Sequence, residues 1–293
     1  MSEVSLKPTL QGRVAIITGA SQGLGFEIAT QYVLAGASVV ICSRDKTALA
    51  TATESLVLKA SSKSSVLSMT ADVARPADVE SLVKFALKNF DRVDILVNNA
   101  GIYGPKGPIE TTNWDDWVHA INVNLLGSVL MCRAVVPLMK NQGYGKIIQL
   151  SGGGATNPMP NLSSYAVAKA GVVRFIETLA LEVAKHNVDV NAIAPGALNT
   201  RMLEEVIDSG PEKIGKEFYE KALKQKASGG AGLERGAKLA VFLGSADSDG
   251  ISGKLISALW DPWEDLAQHK DDLASSDIYA LRRIVPEDRG QSW

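Results

Sequence analysis

Tyr165 and Lys169 stand four residues apart in Tyr165-Ala166-Val167-Ala168-Lys169, a spacing that puts both side chains on one face of a helix. A phenol with a pKa near 10 is a poor acid or base at neutral pH. A nearby ammonium stabilises the phenolate and lowers that value, so the pair makes a tunable proton donor beside a reacting group. Alone, such a pair equally describes an ordinary helix surface. A second group is Thr18-Gly19-Ala20-Ser21-Gln22-Gly23-Leu24-Gly25, between an apolar run and a helical stretch. The tight turn needs glycine, and a dinucleotide pyrophosphate needs close backbone approach and a helix N-terminus. The strand before and the helix after favour that reading over a plain connection. A third group is Ser43-Arg44, at the end of the next apolar run. A carboxylate there would accept from the 2′-OH of NAD and repel a 2′-phosphate, whereas arginine favours the phosphate. Asp45 follows but reads as the cap of the next helix. Ser21 can add a hydroxyl to the same phosphate. These residues point to NADP(H) in preference to NAD(H), with NAD(H) still possible; the alternative is that Arg44 is a solvated loop arginine.

Strands alternating with helices must position these groups. Apolar, β-branched runs predict strands at Val14–Thr18, Ser38–Cys42, Val66–Met69, Ile95–Val97, Lys146–Leu150, Asp189–Ala194 and Lys254–Ala258. Between them, helical patterns cover Phe26–Leu34, Asp45–Lys59, Pro76–Phe90, Thr112–Lys140, Ser163–His186, Arg201–Lys226 and Leu233–Leu243, with Pro137 expected to kink or end the fourth. Ser163 or Ser164 is expected to cap the helix that carries Tyr165. The alternation predicts an α/β fold: a single doubly wound Rossmann-type domain with a seven-stranded parallel sheet covered by helices on both faces.

The turn is spaced TGxxxGxG, and here the chain resembles the short-chain dehydrogenase/reductase family. Asn98-Asn99-Ala100-Gly101 is similar to that family's NNAG signature, Tyr165 to Lys169 to its YxxxK pair, and Pro195-Gly196 with Thr200 to its PG…T segment. Asp72-Val73 is similar to its adenine-contacting pair. The resemblance runs from about Gly12 to Ala258. It implies hydride transfer between a nicotinamide and an alcohol or carbonyl substrate, with Tyr165 exchanging the proton and Lys169 also bonding the nicotinamide ribose. It implies cofactor contacts from Gly19, Ser21, Gln22, Gly23, Leu24, Gly25, Ser43, Arg44, Asp72, Val73, Asn99, Ala100, Gly101, Tyr165, Lys169, Pro195, Gly196 and Thr200. Asn124 matches the asparagine that holds a relay water in the family, ahead of Asn122. The family normally places a serine thirteen residues before the tyrosine, and that residue here is Gly152, with Ser151 one position early. Successive strand residues face opposite ways, so Ser151 would face away unless the strand end turns. Either Ser151 swings in across Gly152-Gly153-Gly154, or backbone N–H groups of those glycines replace the hydroxyl as donors. The alternative is a cofactor-binding protein with weak or no redox activity.

Composition sets the outer bounds. The 293 residues are 46% hydrophobic and 21% charged with a net charge of −2, which excludes a disordered chain and the basic excess of a nucleic-acid binder. Two cysteines, Cys42 and Cys132, exclude a disulfide framework, and the scattered His119, His186 and His269 suggest no metal site. Met1–Leu10 shows no secretory pattern and no run approaches the roughly 18 uninterrupted apolar residues of a membrane span. A cytoplasmic homodimer or homotetramer acting on a small molecule, without membrane or nucleic-acid partners, is expected. Trp114 and Trp117 share a helix face suited to subunit packing or to the core. Residues 199–232 are expected to cover the substrate, with Lys213, Lys216, Lys221 and Lys224 in a salt-bridged face and Ser228–Gly232 as a hinge. The core (1–259) closes near Leu259. A C-terminal extension, 260–293, with helical patterns at Leu266–Leu273 and Ile278–Ile284, carries Trp260, Trp263 and Trp293 and is expected to fold on the body or a neighbouring subunit.

Overall fold

A computed structural model describes residues 10–293; the reading of the first nine lies outside them. The strands are β1 (Val14–Thr18), β2 (Ser38–Ser43), β3 (Val66–Thr70), β4 (Ile95–Asn98), β5 (Gly145–Leu150), β6 (Val188–Ala194) and β7 (Leu255–Ser257). All seven join one parallel sheet in the order β3-β2-β1-β4-β5-β6-β7. Both faces of each central strand are buried, which is why the strands read as continuous apolar runs rather than alternating ones. Ile17, Ile41, Val97 and Ile148 point into one core layer, while their chain neighbours Ile16, Val40, Leu96 and Ile147 point into the other.

The helices are α1 (Gly23–Leu34), α2 (Lys46–Val57), α3 (Pro76–Phe90), α4 (Trp114–Ile121), α5 (Gly127–Gln142), α6 (Ser163–Val183), α7 (Arg201–Asp208), α8 (Pro211–Ile214), α9 (Lys216–Ser228), α10 (Leu233–Gly244) and α11 (Lys270–Ser275). Residues of α1 and α10 fill the first layer, and those of α3, α5 and α6 the second. Strand order reverses at β1 and β4, where connections leave toward opposite sides and open a crevice at the strands' carboxyl ends.

Three expected helices differ. The Thr112–Lys140 helix is interrupted by a π-helical turn at Asn122–Leu126, and Pro137 does not end it, since α5 runs to Gln142. The 29-residue stretch Trp114–Gln142 has the length and apolarity to cross a membrane, yet Val123, Met131, Val135 and Met139 are core residues. Arg201–Lys226 is three helices, because Gly210 and Gly215 adopt φ of 74° and 84° on either side of α8. Ile278–Ile284 is not helical. That last segment straps the open edge of the sheet: Leu255 of β7 donates its N–H to the Tyr279 carbonyl at 2.8 Å, and Lys254 Nζ donates to the Ser276 carbonyl at 2.9 Å. Beyond the edge, Leu281 donates its N–H to Glu177 on α6 at 2.6 Å. Strapping removes a template for unwanted strand pairing. Trp263 anchors the start of the extension, packing on Phe242 and donating Nε1–H to the Ala258 carbonyl at 3.2 Å. Trp260 and Trp293, expected to help fix it, are 84% and 86% exposed.

Candidate active site

The floor of the crevice is built from backbone. Thr18 Oγ1, at the end of β1, accepts N–H groups from Asn99 and Ala100 at 3.0 and 3.1 Å. The Asn99 amide reaches back to the carbonyls of Thr18 and Gly19, both at 3.0 Å. Gly19 takes φ 64°, and a Cβ on Gly25 would collide with the Asn99 amide, so both positions require glycine. Gln22 stands at the N-cap of α1 without a capping side chain, and no acid occupies the first turn. The first-turn N–H groups and the positive end of the helix therefore remain available to an anion. These features fit a dinucleotide diphosphate.

Above that floor lies a cleft of about 830 Å³. Every residue expected at the site lines it except Asn124. Asn124, carried by the π-helical turn, is fully buried. Its Oδ1 accepts the Ile102 N–H at 3.0 Å, and its Nδ2 donates to the carbonyls of Ile102 and Ala120 at 2.8 and 2.9 Å. The amide thus pins the Gly101–Ile102 corner. Asp72 builds its own turn, its Oδ1 accepting the Ala74 N–H at 2.9 Å. At the β2 end, Ser21 Oγ donates to Ser43 Oγ at 3.0 Å. Asp45 caps α2 as expected, accepting from Thr47 and Ala48 at 3.0 Å.

Tyr165 and Lys169 lie buried in the first two turns of α6. Lys169 Nζ donates to the Leu150 carbonyl at 2.9 Å and lies 5.6 Å from the Tyr165 ring centre. Burial lowers Lys169 from 10.5 to about 8, and burial also raises Tyr165 well above the usual phenol value, reinforced by Tyr103. Burial, not the ammonium, sets the direction at Tyr165, opposite to the lowering expected from Lys169. Neither Ser163 nor Ser164 caps α6: Ser163 Oγ accepts from Trp117 Nε1 at 3.0 Å, and Ser164 Oγ donates toward the Tyr103 carbonyl at 3.5 Å.

Ser151 does not swing in. Its N–H donates to Ile193 at 2.8 Å, so the pleat of β5 persists through it, and its hydroxyl turns to the Lys169 carbonyl at 3.5 Å. Gly152 is the position aimed at the tyrosine, and a Cβ there would collide with the Tyr165 hydroxyl. Among the described residues, the backbone N–H groups of Gly152, Gly153 and Gly154 donate to no protein acceptor.

Other lining residues carried no sequence signal. Tyr103 packs on Tyr165 with ring centres 4.7 Å apart. The α7–α9 cover buries Leu203, Val206, Ile214 and Ala222 against Tyr103 and Phe218. Of the four lysines expected in a salt-bridged face, Lys221 alone is paired among the described residues, with Glu217 at 2.7 Å; Lys226, outside that set, pairs with Glu204 at 2.6 Å. The expected hinge is tethered, since Ala231 bridges to Leu198. Trp260 and Asp261, from the extension, complete the rim. Burial raises Asp261, whose carboxylate accepts the Ser257 N–H at 2.6 Å.

Comparison with known proteins agrees with this architecture. The short chain dehydrogenase family model matches residues 13–210. The chain is 32% identical over 258 residues to dehydrogenase/reductase SDR family member 4 of Sus scrofa, covering 86% of this chain and 88% of that one. NAD+-bound xylitol dehydrogenase superposes with a TM-score of 0.77 at 25% identity, covering 85% and 98% of the two chains. A gluconate 5-dehydrogenase from Burkholderia cenocepacia J2315, in complex with NADP and tartrate, gives a TM-score of 0.75 at 28% identity over 86% and 95%. The chain belongs to the short-chain dehydrogenase/reductase family.

Proposed function

We propose that this protein is an NADP(H)-preferring oxidoreductase that interconverts a small-molecule alcohol and its carbonyl compound, with Tyr165 as the proton donor and acceptor. The observation that carries the reading is the pairing of buried Tyr165 and Lys169 on the floor of a cleft whose other end is a glycine turn and a free helix N-terminus. When bound, the nicotinamide supplies the hydride. Lys169 contributes a cation in a low-dielectric setting, where its field on a developing charge is strong. Tyr165, kept neutral by burial, is positioned to donate a proton to a carbonyl oxygen. The free N–H groups of Gly152 and Gly153 supply hydrogen bonds to that oxygen in place of a serine hydroxyl. Asn124 acts by holding the Gly101–Ile102 corner; buried outside the cleft with both amide N–H groups spent on the Ile102 and Ala120 carbonyls, its side chain is not the donor to a relay water.

The preference for NADP rests on Arg44 and on the Asp45 carboxylate being spent on its helix. Xylitol dehydrogenase is described with NAD+ and gluconate 5-dehydrogenase with NADP, so relatives use either form. We place the protein in the cytoplasm as a homodimer or homotetramer; support for assembly comes from Trp114, 67% exposed and stacked on Trp117, and from exposed Leu126 and Val167. The test is titration with NADPH and NADH, followed by turnover on a panel of ketones and polyols. Turnover lost in Tyr165→Phe upholds the reading. Tight NADPH binding with no turnover on any compound would instead favour a cofactor-binding protein disabled at Gly152.

A further inference from the structure

At the adenosine end of the cleft, Arg44 meets a residue that lies outside the cleft lining, from an unexpected element. Arg44 leaves the end of β2, and its Nη1 lies 3.5 Å from Nε2 of His119, on the last turn of α4. The two residues are 75 positions apart, so the contact links the end of β2 to α4, two elements distant in the chain. His119 is one helical turn before Val123, which lines the same cleft. A guanidinium only donates, so Nε2 must be the acceptor and the ring proton sits on Nδ1. Among the described residues the other guanidinium N–H groups have no partner, and the neighbouring carboxylate, Asp45, is occupied by Thr47 and Ala48. The Ser21–Ser43 hydroxyl pair lies on the near side of the arginine.

An exposed arginine surrenders rotamer entropy when a ligand fixes it. A partner that already holds one N–H reduces that loss and aims the planar fork at a phosphate. We propose that His119 is the positioning residue of a 2′-phosphate site, holding Arg44 across the adenosine end of the cleft. This assignment rests on the NADP reading and extends it to a residue outside the family's motifs.

The test uses two adenosine fragments, 2′,5′-ADP and 5′-AMP, titrated calorimetrically into the full chain. Neither carries a nicotinamide, so binding is read apart from turnover. The wild type binds 2′,5′-ADP at least about tenfold more tightly, as expected of charge-assisted phosphate contacts, and Arg44→Ala erases the preference. His119→Ala lowers the preference by about three- to tenfold while leaving 5′-AMP within about twofold, a range typical of losing an orienting hydrogen bond. His119→Gln, whose amide oxygen can accept from Arg44, recovers most of the loss, whereas His119→Leu does not. In an Arg44→Ala background, His119→Ala has no further effect, the signature of two residues acting through one another. If the wild type binds both fragments alike, the NADP reading fails and takes this site with it. If 2′,5′-ADP is preferred but His119→Ala leaves that preference intact, weakens both fragments equally, or adds its effect on top of Arg44→Ala, His119 alone loses its role.

Discussion

Two lysines are buried at opposite ends of the same sheet, and they are treated differently. Lys146, at the amino end of β5, is 1% exposed, and its Nζ meets Asp189 and Asp249, each at 2.6 Å, and Ser248 Oγ at 3.3 Å. Lys169, at the carboxyl end, is 5% exposed and has a single acceptor, the Leu150 carbonyl. The first ammonium is fully neutralised, and removing it strands two carboxylates. The second is desolvated without a counter-charge, and burial holds it at about 8. A buried cation without a carboxylate is unfavourable for folding. Its persistence in the cleft, pointing past Tyr165, marks the end of the sheet where charge serves chemistry. The other end uses charge to tie β5, β6 and the loop before β7 together.

That contrast can be broken by substitution. The largest effect is expected at the catalytic end: Tyr165→Phe lowers kcat by about 10²- to 10⁴-fold, the range for losing a general acid, with NADPH affinity within a few-fold of the parent. At the structural end, Lys146→Met destabilises the fold by about 1–3 kcal/mol in urea unfolding, because Asp189, 14% exposed, loses its charged partner, while Asp249, 51% exposed, is screened by water. Cofactor binding in that variant, measured where it is still folded, is unchanged.

Lys169→Met runs the other way. It abolishes turnover yet raises stability at pH 7, by up to about 3 kcal/mol for a drop in pKa from 10.5 to about 8. The sign follows from the folded value lying below the unfolded one. Between about pH 8 and 10.5 the unfolded chain holds the proton and the folded chain does not, so this group favours folding increasingly as pH rises. The contribution is complete above 10.5 and is lost as pH falls through about 8. A Lys169→Met variant that melts below the parent at pH 7 would show that the ammonium is compensated after all. The smallest change is predicted for Ser151→Ala, whose hydroxyl makes one long bond to the Lys169 carbonyl. Turnover should stay within about twofold and stability within about 0.5 kcal/mol, as for a weak contact. A large kinetic loss would restore Ser151 to the site.

The alternation of strands and helices, the glycine turn and the Tyr165–Lys169 pair were legible because each is set by near neighbours in the chain. Val14–Thr18 is apolar on both faces and is followed at once by glycines with no room for a Cβ. What was not legible depends on segments far apart. The π-helical turn that aims Asn124 at Ile102 reads as unbroken helix, since Asn122–Leu126 holds no proline or glycine and Gly127, which follows it, keeps helical dihedrals. The split of the cover into α7, α8 and α9 was signalled by Gly210-Pro211 and Gly215, but the lysine pattern masked it.

The linear sequence determined the fold class, the crevice and the residues on its floor, because strand and helix periods, glycine conformations and an i, i+4 pair are local properties. Tertiary structure decided the direction of the Ser151 hydroxyl, the reversed shift at Tyr165, the Tyr103 lid, the edge strap at Leu255–Tyr279 and the Arg44–His119 contact. Each of these depends on which distant groups exclude water from a site or arrive within hydrogen-bond reach. Desolvation and long-range approach are sums over the packed whole, and no window of the chain contains them.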